Sequence, residues 1–165
     1  MTSIAGLTTS KLVNVLAVSQ GVPAAVSAAA VEQGIRLPPM TADHILAQNA
    51  TPELMEQSTA LKYPVLLVYC DKIVNDLKEK FRTFSGEVEM LIEARVSQDR
   101  IDGLERNLQI YVDAIARVLG ANRGDWGDGV SFNGAYQVNF GAMKHGGRNF
   151  LQIAKVILRL DVSAD

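Results

Sequence analysis

The sequence predicts an α+β fold: a mainly antiparallel four-stranded sheet in the order β-β-α-β-β, with one long amphipathic helix on a face and short helices in front. Three observations predict it. Residues 87–96 alternate between an apolar and a mainly charged side, residues 101–118 repeat apolar side chains at spacings of three and four, and two more alternating runs follow that helix.

Residues 1–60 are alanine-rich and read as short helices. Thr9 or Ser10 can cap a helix carrying Leu12, Val15, Leu16 and Ser19, and Gly21 can end it. A second starts near Val22, where Pro23 is acceptable because a first-turn N–H has no intrahelical partner, and ends at Gly34. Pro38-Pro39 forces an extended joint, Thr41 starts a short helix through Leu46, and Thr51-Pro52-Glu53-Leu54 begins another. The small face of Ala25, Ala28 and Ala29 offers little apolar area. The segment is therefore expected to lean on a larger surface, and to be dispensable for folding of a domain at residues 61–165.

From Leu61 the texture changes. Pro64-Val65-Leu66-Leu67-Val68-Tyr69 reads as a strand buried on both faces, and residues 71–84 as a long hairpin excursion or a short helix. Val88, Met90, Ile92, Ala94 and Val96 then form a dry strand face opposite Glu87, Glu89, Leu91, Glu93 and Arg95. Asp99 can cap the helix, which lays Ile101, Leu104, Leu108, Tyr111, Ile115 and Val118 on one face and reaches Gly120. The glycine-rich run from Gly124 to Gly129 favours turns, Tyr136 to Phe140 alternates as a third strand, residues 145–148 turn, and Ala154 to Val162 alternates as a fourth. Leu104, Leu108, Ile115 and Val118 are expected to pack on Val88, Ile92, Val156 and Leu158.

Composition excludes several classes. With 165 residues, 48% hydrophobic and 21% charged, the chain can bury a core. A net charge of −2 with no basic stripe argues against a phosphate-gripping nucleic-acid protein. Cys70 is the only cysteine, which fits a reducing compartment and a small buried thiol. The apolar stretch after Lys11 is broken by Asn14, Ser19, Gln20, Gly21 and Pro23, so it fails as a signal peptide, and no run approaches a membrane span. A soluble protein is expected.

No catalytic constellation assembles, and no enzyme, cofactor or metal is expected. His44 reads as a surface or partly packed side chain; His145 precedes Gly146-Gly147, but the G-x-S-x-G turn that an esterase oxyanion site accompanies is missing. Asp125 and Asp128, three apart, do not meet the ligand pattern of a calcium loop and suit a turn. Glu87 and Glu89 suit a solvated sheet face. Phe81, Phe84, Trp126 and Phe132, with Lys144, His145 and Arg148 nearby, are the candidate interface residues, since aromatics and arginine concentrate at interface centres. Closing the core is the competing role for the aromatics.

The element order, together with Tyr63-Pro64, Phe81-Arg82-Thr83-Phe84-Ser85-Gly86, Glu93-Ala94-Arg95-Val96-Ser97, Gly124-Asp125-Trp126 and Gly146-Gly147-Arg148-Asn149-Phe150, resembles the tail terminator (tail-completion) proteins of long-tailed bacteriophages over residues 63–162. The resemblance leaves the leading segment unexplained. It implies a structural virion protein of the tail and neck, assembled in the host cytoplasm. Its copies would form a ring, commonly a hexamer, that caps the tail tube protein and meets the head connector, and through which DNA can pass. The rival expectations are a soluble adaptor of a non-viral assembly docking through its leading helices and, more distantly, a small enzyme using His145.

Overall fold

The computed structural model describes residues 3–57, 62–146 and 148–165. Helix α1 (Ile4–Ala17) starts earlier than the Thr9/Ser10 cap would place it, because the Ser3 hydroxyl accepts the Gly6 N–H at 3.0 Å. Helix α2 (Val22–Gln33) has Pro23 in its first turn and ends where Gly34 turns left-handed and donates its N–H to the Val31 carbonyl. Residues 4–33 reach a mean hydropathy of 1.5 over a membrane-sized window. The break between Ala17 and Val22 nevertheless divides them into helices of 14 and 12 residues, each short of the roughly 20 that cross a bilayer.

A short turn of 3-10 helix (Ala42–His44) leads into strand β1 (Ile45–Leu46), where the sequence predicts helix through Leu46. The His44 Nδ1–H donates to the Pro64 carbonyl at 2.6 Å and ties this turn to the start of the sheet. Helix α3 (Pro52–Glu56) follows. The sheet continues with β2 (Val65–Asn75) and β3 (Phe84–Gln98); after helix α4 (Leu104–Ala121) come β4 (Gly124–Gly127), β5 (Val130–Phe140), β6 (Lys144–Gly146) and β7 (Asn149–Ala164).

The α+β class stands, but the four-stranded sheet does not. Seven strands form one mixed sheet in the order β1-β2-β3-β7-β5-β4, with β6 also on β7, and β1 runs parallel to β2. The extra strands are short, and their pairing defines them. Gly124–Gly127, expected as a turn, lies along β5 and returns through Asp128 and Gly129, both at positive φ as a tight hairpin turn requires. A Cβ at Gly129 would lie 1.9 Å from the Ser163 carbonyl oxygen, so the turn can sit against β7 only with glycine there.

Helix α4 covers one face of the sheet. Gly103 precedes it in place of the expected Asp99 cap, and Ile101, although in phase with the apolar stripe, lies in the preceding turn and is exposed. Gly120 falls inside the helix, which runs one residue further. Leu104, Leu108, Ile115 and Val118 share one buried cluster with Val88, Ile92, Val156 and Leu158, as their matched periods predict. The Tyr111 hydroxyl donates to the Pro38 carbonyl at 2.7 Å and pins the proline joint over the helix.

The same cluster contains Leu12, Leu16, Val22, Val26 and Ala29. The core therefore runs without interruption from the leading helices into the sheet, and Arg117 on α4 pairs with Glu32 on α2 at 2.8 Å. The expected division at residues 60 and 61 lies outside the described residues. On either side of it the chain builds one core.

Candidate functional site

The sheet face turned away from α4 carries the chemistry. Residues 87, 89, 91, 93 and 95 of β3 point there because successive strand side chains alternate. The sequence predicts a wet face, yet Leu91, Glu93 and Arg95 are buried. Their cover comes from a segment far back in the sequence. Met55 of α3 packs with Val65 and Leu67 in a second apolar cluster on this side, joined by Leu46, Ala50 and Tyr63.

Register sets the charges. Glu93 lies directly opposite Lys155 and Glu89 opposite Arg159, at 3.7 and 3.6 Å between charged atoms, so cross-strand neighbours form opposite-charge pairs. Glu87 faces Asp161, a like-charge pair that would repel. Lys78 relieves it, with its ammonium 3.5 Å from Glu87 and 3.8 Å from Asp161.

At the other end Arg95 reaches Glu93 Oε2 through Nε at 3.1 Å and Nη2 at 2.6 Å, and Nη2 also donates to the Ala50 carbonyl at 2.6 Å. Arg95 thus clamps the segment before α3 to the sheet. The Tyr69 hydroxyl donates to Glu93 Oε1. Burial alone would raise the Glu93 carboxyl, but the hydrogen bonds from Tyr69 and Arg95 and the charges of Arg95 and Lys155 outweigh it and hold the group below the usual carboxylate range. Burial, then the bond to Glu93, pushes the Tyr69 hydroxyl up, so it stays a donor. Sequence reasoning missed this group. Its only sign is that Glu93 and Arg95 sit two apart in a strand, which reads equally as a solvated edge.

The expected interface residues separate. Strand β2 runs on to Asn75, so the excursion is shortened to residues 76–83, and it folds back over the end of the sheet. The Glu79 N–H donates to Ser85 Oγ at 3.0 Å, Ser163 Oγ donates to Glu79 Oε2 at 2.8 Å, and Arg82 pairs with Asp165 at 2.8 Å. From this tied loop Phe81 projects, 97% exposed.

Phe84 and Phe132 are core residues, 8% and 1% exposed. Trp126 packs against Phe132 with ring centres 5.6 Å apart and donates its indole N–H to the Asn122 carbonyl at 2.7 Å. These three aromatics close the fold, and only Phe81 of the four is a surface group. Lys144 and His145 lie exposed on β6, His145 edge-on to Phe150, and Arg148 lies exposed in the following turn; Gly147 between them lies outside the described residues. Asp125 accepts the Gly127 N–H within the turn, and Asp128 pairs with Lys11 of α1 at 2.7 Å, which ties the turn to the leading helices.

Two stretches of strand edge have no strand beside them among the described residues. β1 covers only Leu66 and Leu67 of β2, and at its far end residues 71–75 are exposed, including Ile73 and Val74. β4 reaches β5 only as far as Phe132, which leaves residues 133–140 with Tyr136 and Phe140 exposed. No family model matches the chain, and no curated protein matches it either.

Proposed function

We propose that the chain is a ring-forming structural subunit of a phage tail, a tail terminator whose copies cap the tail tube and meet the head connector. The family part of this reading rests on the sequence resemblance. The assembly part is carried by one observation: the two bare edges lie on opposite sides of a single sheet. Bare edges invite pairing with another chain unless lysine, proline or a bulge blunts them. The ladders are irregular between Cys70 and Lys72 in β2 and between Phe132 and Tyr136 in β5, which leaves residues 73–75 and 136–140 as the regular edges, and neither stretch contains a charge or a proline.

From β2 to β5 the strands alternate in direction, so β2 and β5 run antiparallel to each other. The β5 edge of one copy can therefore take the β2 edge of the next as an antiparallel neighbour without reversing the subunit. Such a contact joins two different patches of the same protein, the heterologous kind that generates rings when the rotation closes. Phe81 lies at the same end of the sheet as the bare part of β2 and adds an aromatic anchor to that joint.

Negative-stain images and light scattering of the purified chain test this. Closed rings of uniform diameter are expected. Ile73→Lys and Tyr136→Lys place charges on exposed edge positions, and each is expected to leave a folded monomer. Wild-type chain that stays monomeric at high concentration and when mixed with tail tubes would sink the reading and leave a docking adaptor in its place.

A further inference from the structure

The cleft at the Arg95 end of the open face holds one more positive than negative charge. Its charged lining is Arg95, Lys144 and Lys155 against Asp71 and Glu93. Arg95 is 3% exposed. Of the five N–H donors on a guanidinium, those on Nε and Nη2 go to Glu93 and Ala50, while Nη1 has no partner among the described residues.

Glu93 does not balance Arg95 alone, since it also accepts from Tyr69 and faces Lys155. A buried charge without full pairing is costly, so the site gains from one added anion. The remaining wall includes Pro52, Phe140 and Ile153, and the cleft, about 610 Å³, falls in the usual size range of small-ligand sites.

We infer that this cleft binds a carboxylate carried beside an apolar side chain, as in an acidic or C-terminal residue of a partner polypeptide. Lys144 and Lys155, both exposed, contact the carboxylate, and Arg95 supplies the buried positive charge behind them. The apolar group lies against Phe140 and Pro52. A carboxylate suits the site because the two ammonium groups offer it charge-assisted hydrogen bonds and the guanidinium behind them adds positive potential.

The test is an NMR titration of the isotope-labelled full chain with N-acetylphenylalanine, N-acetyl-aspartyl-phenylalaninamide, the neutral N-acetylphenylalaninamide, and inorganic phosphate. Saturable shifts are expected at the Arg95 Nε–H and at the amides of Tyr69, Lys144 and Lys155 with at least one of the two acids. A response to the first acid alone identifies a chain terminus as the ligand, and to the second alone an acidic side chain. Lys144→Met and Lys155→Met, at exposed positions, are each expected to weaken binding roughly threefold to fivefold. The inference fails if neither acid saturates, if the neutral amide shifts the same signals equally, or if phosphate binds as tightly as the acids. It also fails if the double lysine variant keeps the wild-type affinity.

Discussion

The two faces of β3 differ although they are built by alternate residues of one strand. Toward α4, Val88, Met90, Ile92 and Ala94 enter a continuous apolar core. On the far side Glu87, Glu89, Glu93 and Arg95 are held in place by partners on the same strand, one strand away or on a loop. Apolar burial on the first face is non-directional and roughly proportional to area. The second depends on register, because a slip of one residue would exchange the two sets of side chains. The first face supplies stability; the second fixes where charges stand.

The largest effect should come from removing the leading helices. Residues 62–165 expressed alone lose Leu12, Leu16, Val22 and Val26 from the core, and an unfolded or insoluble product is expected. A soluble product with native circular dichroism would show that the sheet and α4 suffice. Leu108→Ala, at a fully buried position, should cost about 2–5 kcal/mol in chemical denaturation. A loss below about 0.5 kcal/mol would place α4 wrongly on its face.

On the charged face, Arg95→Met leaves Glu93 buried without its main partner, and a loss of about 3 kcal/mol is expected. The same face predicts a pH dependence. The Glu93 carboxyl is lowered in the folded chain, so its stabilisation is present above the unfolded value near 4.3 and is lost as pH falls through the folded value. Wild type should therefore lose stability below about pH 4 more steeply than Glu93→Gln does, in parallel urea titrations across that range. Equal slopes would mean that the Arg95 and Tyr69 bonds do not favour the ionised form. The smallest effect is expected for Phe81→Ala, whose side chain has almost nothing to lose in the monomer. Its melting temperature should match wild type while ring formation weakens.

Much of the helical face was legible because its signals are local. A 3.6-residue period located α4 and a two-residue period located β3, each within about three residues, whereas β2 runs six residues past its expected end and β5 and β7 start six and five residues before theirs. What remained hidden depends on contacts distant in sequence. β1 is two residues long and exists only through Leu66 and Leu67, and β4 and β6 are glycine-containing stretches that their neighbours hold straight. Arg95 and Glu93 match the pattern of solvated residues. Their burial comes from residues about 40 positions earlier, through the Ala50 carbonyl, which no local period can reveal. Phe84 and Phe132 were equally ambiguous, since the sequence shows an aromatic side chain but not which way the strand turns it.

The bare edges of β2 and β5 are not level with each other. Followed across the ladders, Val138 stands beside Val156 and Ile92, whereas Ile73 stands beside Val88, four residues lower on β3. Copies joined through these edges must step along the strand direction at every joint. With four long strands per copy, β2, β3, β7 and β5, that is one residue of shear per strand. At about 3.3 Å per residue and about 4.8 Å between strands, this shear tilts the strands by about 35° from the axis of a closed barrel. The tilt does not depend on the number of copies, so in a ring built this way the offset between two edges of one subunit would set the pitch of the wall while the curvature at each joint would set its diameter.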